Sequence, residues 1–223
     1  MAYKYPVTVA APEIGTPAPP LRIVAPATGA LLAEVPASSA AHVDAALERA
    51  RRAQPAWEAL GARDRGQALR RLARAIRDDQ KLTELLVAET GKPRYEAVGI
   101  EVFYTLELTR FYSGRAGRNA LREERRRPFV FAIKRARVLR LPHGVVGVIG
   151  PWNWPLLNNY ADCVAPLMAG NAVLLKPSEL TPLTSLRRWT GPGAPSQPGR
   201  RWGRGRAVNC CGVWPAPSAT TTS

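Results

Sequence analysis

No stretch of the 223-residue chain reaches the ~18 consecutive apolar residues that a membrane-spanning helix needs. Cysteine is scarce. The three present, Cys163, Cys210 and Cys211, match neither a metal-ligand spacing nor a disulfide framework, and adjacent cysteines bridge only with strain. No metal is expected, and a reducing compartment is suggested. The opening MAYKYPVTVAAPEIG lacks both the basic-then-apolar order of a signal peptide and the Arg- and Ser-rich character of a transit peptide, so a cytoplasmic address without membrane association is expected. Residues 187–223 contain no Ile, Leu, Lys, Asp or Glu and show neither helical nor strand period. Such a segment cannot bury enough apolar area to offset its ordering entropy, and it is predicted to be a disordered tail.

What is present in excess is positive charge, +15 overall. Six of the 32 basic residues and none of the 17 acidic ones fall in 187–223, so part of the excess belongs to the tail. Those arginines are interleaved with Trp189, Trp202 and Trp214. One reading of the chain is therefore a non-catalytic scaffold whose tail binds RNA or DNA through phosphate charge and base stacking.

Upstream the pattern is that of a folded α/β protein. Residues 21–36 read as two extended pieces about a Pro-Ala-Thr-Gly turn. Ser38 or Ser39 can cap a helix with Val43, Leu47 and Ala50 on one face, ending near Pro55. A second helix, about 62–79, places Leu69, Leu72, Ala73 and Ile76 at amphipathic spacing. A third carries Leu82, Leu85 and Leu86 and stops at Gly91, with Pro93 beyond. A fourth runs from Pro93 to about Gly114, with Ala97, Ile100, Tyr104, Leu108 and Phe111 as its expected core face.

The period then changes. Residues 127–142 alternate apolar and polar side chains around a basic middle and predict a two-stranded excursion. VVGVI (145–149) and AVLLK (172–176) are short apolar strands flanking a helical stretch that contains Pro166, a βαβ unit. Ligands of such units bind where the strands end, and Asn153 and Lys176 lie there. In HGVVGVIGPWNWPLLNNY, Asn153 stands between Trp152 and Trp154 with Pro151 and Pro155 outside them. It is either a plain turn residue or a carboxamide held stiff for a purpose.

GVVGVIGPWNWP followed by AGNAVLLKPSELTPLTSL resembles the NAD(P)-dependent aldehyde dehydrogenase superfamily. APATGALLAEVPASSAAHVDAALERARRAQPAW and LLVAETGKPRYEA are similar to its N-terminal segment, so the resemblance covers roughly residues 20–186. It implies a partial Rossmann-like parallel sheet of the aldehyde dehydrogenase fold. The implied parts are a helical N-terminal segment (1–126), an oligomerisation-type β-hairpin (127–142) and the βαβ portion of the dinucleotide-binding domain (143–186), followed by the tail.

In the intact family the chemistry implied is oxidation of an aldehyde to a carboxylic acid with NAD. A Cys thiolate attacks the carbonyl, hydride leaves for the nicotinamide, and water activated by a carboxylate hydrolyses the thioester. Asn153 matches the donor to the oxyanion. Lys176 and Glu179 match positions that bind the adenosine ribose, and Ile149, Gly150, Pro151 and Trp152 match the cofactor channel. A carboxylate at Glu179 repels a 2′-phosphate, which favours NAD over NADP. No G-x-G-x-x-G follows either strand, but the family binds its dinucleotide without that fingerprint.

The resemblance stops near residue 186. The family's Gly-x-Thr-x-x-Gly turn, general-base Glu and Gly-Gln-x-Cys nucleophile have no counterpart in the sequence. Cys163 falls in the crossover helix and reads as a small buried residue, and Cys210 and Cys211 lack the nucleophile's context. No turnover is expected from this chain alone. The Arg-, Gly-, Pro- and Trp-rich tail has the look of GC-rich DNA read out of frame, so a truncated or frameshifted gene is expected. The family's homo-oligomer is doubtful for such a fragment, although a non-catalytic subunit assembling through 127–142 is a third reading. Asp162 stands near a place where many relatives carry Lys, and the particular aldehyde is not legible.

Overall fold

A computed structural model describes residues 19–126 and 135–186, together with the backbone of Gly212–Val213. The chain begins with β1 (Leu21–Val24) and β2 (Leu31–Val35), an antiparallel pair with Leu21 opposite Val35. Gly29 makes the predicted turn possible, since its φ of 70° is a conformation that side chains disfavour. Ile23 and Val35 from this pair pack with Leu183 in a small satellite core.

α1 (Ala40–Ala59) starts at Ser39, whose hydroxyl accepts from the His42 amide while the His42 ring accepts from the Ser39 amide. It does not end near Pro55, as the sequence led us to expect, but continues to Ala59 with the proline on its exposed side. An internal proline costs a helix roughly 3 kcal/mol. Beyond it, Trp57 is buried and its indole N–H donates to the Leu167 carbonyl at 2.8 Å, a contact that holds the last turn. Val43 is also exposed, and the buried face is Ala46, Ala50 and Trp57.

α2 (Gly61–Asp78) buries Leu69, Ala73 and Ile76 as its spacing predicts. α3 (Gln80–Thr90) ends at Gly91 in the left-handed conformation, φ 72°. α4 (Arg94–Glu96), a π-helical segment (Ala97–Val102) and α5 (Phe103–Ser113) follow without a break. Here the expected core face holds at Ala97 and in part at Ile100 and Leu108, but not at its aromatics. Tyr104 and Phe111 are more than half exposed, whereas Ala97, Glu101, Thr105, Thr109 and Ser113 are buried. The inward stripe is small and polar because the helices approach closely: a Cβ on Gly66 of α2 would lie 2.8 Å from the Ser113 carbonyl oxygen. Large side chains have no room there, so the aromatics turn outward.

After α6 (Arg115–Ala120), β3 (Glu124–Arg126) and β4 (Ala136–Val138) pair antiparallel, with Glu124 opposite Val138. The pairing thus begins at Glu124, before the residue 127 at which the two-stranded excursion was expected to start. Residues 127–134 lie outside the described residues. Arg140 and Arg126 hold the Glu124 carboxyl down at about 2.

The βαβ unit is β5 (Val145–Ile149), α7 (Leu157–Met168) and β6 (Ala172–Lys176). β5 and β6 are parallel, in register from Val145 opposite Ala172 to Ile149 opposite Lys176. β6 is shielded by α1 and α7, and Val173 and Leu175 join Trp57, Ile76, Leu82, Leu86, Val164 and Leu167 in the main core. The C-terminal carbonyls of α7 are satisfied from α1 and α2: besides Trp57, Arg65 donates to Met168 O at 3.1 Å, and Gln54 to Gly170 O at 3.0 Å. α8 (Leu183–Leu186) closes the described region, and β7 (Gly212–Val213) is a two-residue strand antiparallel to β6. The rest of the predicted disordered tail lies outside the described residues. Among the described residues no helix is long and apolar enough to cross a membrane.

Candidate active site

The residues singled out by sequence gather where β5 and β6 end. The ladder extends one step beyond β5, since the Gly150 N–H donates to Lys176 O at 3.0 Å. Gly150 is buried, and no side chain fits there: the Asn159 Oδ1 lies 1.3 Å from the position a Cβ would take. Asn159, on the first turns of α7, is 2% exposed. Its Nδ2 donates to Ser185 Oγ at 2.6 Å, and that hydroxyl donates to Pro155 O at 3.1 Å.

Residues 151–156 form no regular element, yet several of their main-chain groups are tied down. Thr181 Oγ1 donates to Trp152 O at 3.1 Å and Lys92 Nζ to Asn153 O at 2.8 Å. Glu101 Oε2 accepts from the amides of Leu156 and Leu157 at 2.8 and 3.3 Å, taking orphan donors at the start of α7. The other Glu101 oxygen accepts from Lys92, whose ammonium also sits 3.9 Å from the Trp154 ring centroid. Within this frame the Asn153 side chain is exposed, as are Ile149, Pro151 and Trp152. The Asn153 carboxamide makes no hydrogen bond among the described residues, so its donor is available to a ligand.

Lys176 and Glu179 form an ion pair at the end of β6, with side chains 44% and 57% exposed. Burial is the largest single influence and would raise the Glu179 carboxyl, but the hydrogen bond from Lys176, a backbone hydrogen bond and the Lys176 charge together hold the group below the ordinary carboxylate range. An exposed ammonium and carboxylate side by side offer one donor and one acceptor, the set that a vicinal diol needs.

Cys163 is fully buried in α7, and burial, with Asp162 nearby, pushes its thiol up to about 12. At neutral pH it is no nucleophile. Cys210 and Cys211 lie outside the described residues. No cluster of three His, Cys, Asp or Glu suited to a metal occurs among the described residues.

Five members of this arrangement, Lys92, Glu101, Asn159, Thr181 and Ser185, were not singled out from the sequence. The available signal was Glu101, a charge in phase with Thr105, Thr109 and Ser113 on the inward stripe of a helix.

A βαβ unit with a free carboxamide at one strand end and an ion pair at the next is the arrangement that the motifs led us to expect. The Aldehyde dehydrogenase family pattern matches residues 16–189, and the chain belongs to that family. It is 40% identical over 159 residues to the 4,4′-diapolycopene aldehyde oxidase of Methylomonas sp, covering 70% of this chain and 30% of that protein. Among solved structures, PnpE from Pseudomonas sp. WBC-3, also known in complex with nicotinamide adenine dinucleotide, superposes with a TM-score of 0.70 at 37% identity, covering 75% of this chain and 34% of its own. An NAD-dependent benzaldehyde dehydrogenase from Corynebacterium glutamicum gives 0.67 at 35% identity, covering 74% and 35%. The chain thus spans about a third of the length of these relatives.

Proposed function

We propose that this chain forms the oxyanion and ribose-binding portion of an NAD-dependent enzyme that oxidises an aldehyde to a carboxylic acid. The observation that carries the reading is the irregular 151–156 main chain, held at the Trp152, Asn153 and Pro155 carbonyls and the Leu156 amide, with the Asn153 carboxamide exposed and without a hydrogen bond among the described residues at the end of β5. When a thiolate adds to an aldehyde, negative charge develops on the carbonyl oxygen. A preorganised N–H donor at that point lowers the barrier by roughly 3–4 kcal/mol, the loss seen when one such donor is deleted. NAD, when bound, supplies the hydride acceptor. Lys176 would donate to one ribose hydroxyl and Glu179 accept from the other, and the negative Glu179 disfavours a 2′-phosphate, so NAD is preferred to NADP. Ile149, Gly150, Pro151 and Trp152 would line the cofactor's approach. The attacking thiolate is not Cys163, and the chain alone is expected to show no turnover. The β3–β4 hairpin is the proposed contact for assembly with copies of the family's fold.

The test is an amide-resonance titration of the chain with NAD at millimolar concentration. Shifts at Gly150, Lys176 and Glu179, weaker with NADP and lost in Lys176→Ala, are expected. No movement at those residues would overturn the reading.

A further inference from the structure

Lys92 sits directly after the left-handed Gly91 that ends α3, and its side chain is only 9% exposed. All its donor capacity is spent within a few ångströms: on Glu101, on the Asn153 carbonyl and on the face of Trp154. Glu101 is fully buried in the π-helical segment and divides its two oxygens between Lys92 and the amides of Leu156 and Leu157. One ion pair therefore grips the irregular segment on both sides of Pro155, at the carbonyl of 153 and at the amides that open α7.

We propose that Lys92 and Glu101 are positioning residues that fix the 153–154 peptide and so set the direction of the Asn153 carboxamide. The purpose of that direction rests on the reading of Asn153 as an oxyanion donor. The geometry does not. Replacing a buried ion pair with apolar side chains of similar size often leaves a fold no less stable. Such side chains would fill the same space but give the Asn153 carbonyl no donor. The charged pair holds the Asn153 carbonyl and the Leu156 and Leu157 amides, and an apolar pair holds none of them. A guanidinium at position 92 retains donors for both oxygen partners, whereas a thioether retains none.

The test measures the Asn153 side-chain χ1 couplings by NMR in the full labelled chain. The variants are Lys92→Arg, Lys92→Met and the double variant Lys92→Met with Glu101→Gln. Lys92→Met alone leaves a buried carboxylate without its cation and risks the fold. The double variant removes both charges while Gln keeps an acceptor for the Leu156 and Leu157 amides. The wild type is expected to hold one rotamer, the folded double variant to average over the staggered wells, and Lys92→Arg to restore a dominant rotamer. Couplings unchanged in the folded double variant would overturn the proposal, whatever NAD does. Absence of NAD-induced shifts at Lys176 and Glu179 removes the proposed function and leaves the coupling result standing.

Discussion

Two lysine–glutamate pairs lie at the same end of the sheet, and their surroundings give them opposite jobs. Lys92 and Glu101 are 9% and 0% exposed in their side chains; Lys176 and Glu179 are 44% and 57% exposed. The buried pair is saturated by main-chain partners and cannot serve a ligand without releasing the loop. The exposed pair binds little besides itself, so it can exchange its partner for a pair of hydroxyls at small cost. The same two side chains brace the main chain in one place and stay open to solvent in the other, and burial makes the difference.

The largest effect that sharpens this contrast is on stability. Lys92→Met strands a buried carboxylate and is expected to cost about 3–5 kcal/mol, read by urea denaturation, with most of the loss recovered when Glu101→Gln is added. Next comes the close approach behind the loop. Gly150→Ala drives a methyl into Asn159, and overpacking of this kind costs about 1–3 kcal/mol. A melting temperature equal to the wild type would show that the loop yields there.

Glu89 provides a buried carboxylate with no cation partner among the described residues. It is 2% exposed and accepts from Leu183 N, Thr184 N and Thr184 Oγ1, holding the start of α8. Burial raises its carboxyl above the ordinary value of 4.5, against the pull of those hydrogen bonds. A carboxyl raised in the folded state binds its proton more tightly there than in the unfolded chain. Its contribution is thus full below 4.5 and is lost as pH rises through the raised folded value. The melting temperature should fall across that window in the wild type and fall less in Glu89→Gln. The smallest effect is at the exposed pair: Lys176→Ala should change stability by less than about 1 kcal/mol while weakening NAD-induced shifts.

The parts of this molecule that sequence exposes are those written in local order. β5, α7 and β6 are legible because their apolar runs and the intervening helix are contiguous, and the Gly91 stop is legible because a left-handed cap suits glycine. Pro55 misleads because Trp57 is anchored by a carbonyl 110 residues away, which no local pattern records. The face of α5 misleads for a related reason. Apolar spacing through Tyr104 and Phe111 is genuine, but close packing against Gly66 admits only small side chains, so Thr105, Thr109 and Ser113 turn inward instead. Asn153 could be identified by the motif around it, whereas its support could not. Lys92 reaches the Asn153 carbonyl across 61 residues and Glu101 the Leu156 amide across 55, links that no local pattern records.

The most direct test is a pair of double-mutant cycles, Lys92→Met with Glu101→Gln and Lys176→Met with Glu179→Gln, each measured by equilibrium denaturation. A brace beside a ligand site predicts a coupling of several kcal/mol for the first pair and less than about 1 kcal/mol for the second. Equal couplings would contradict the division of labour between the two pairs.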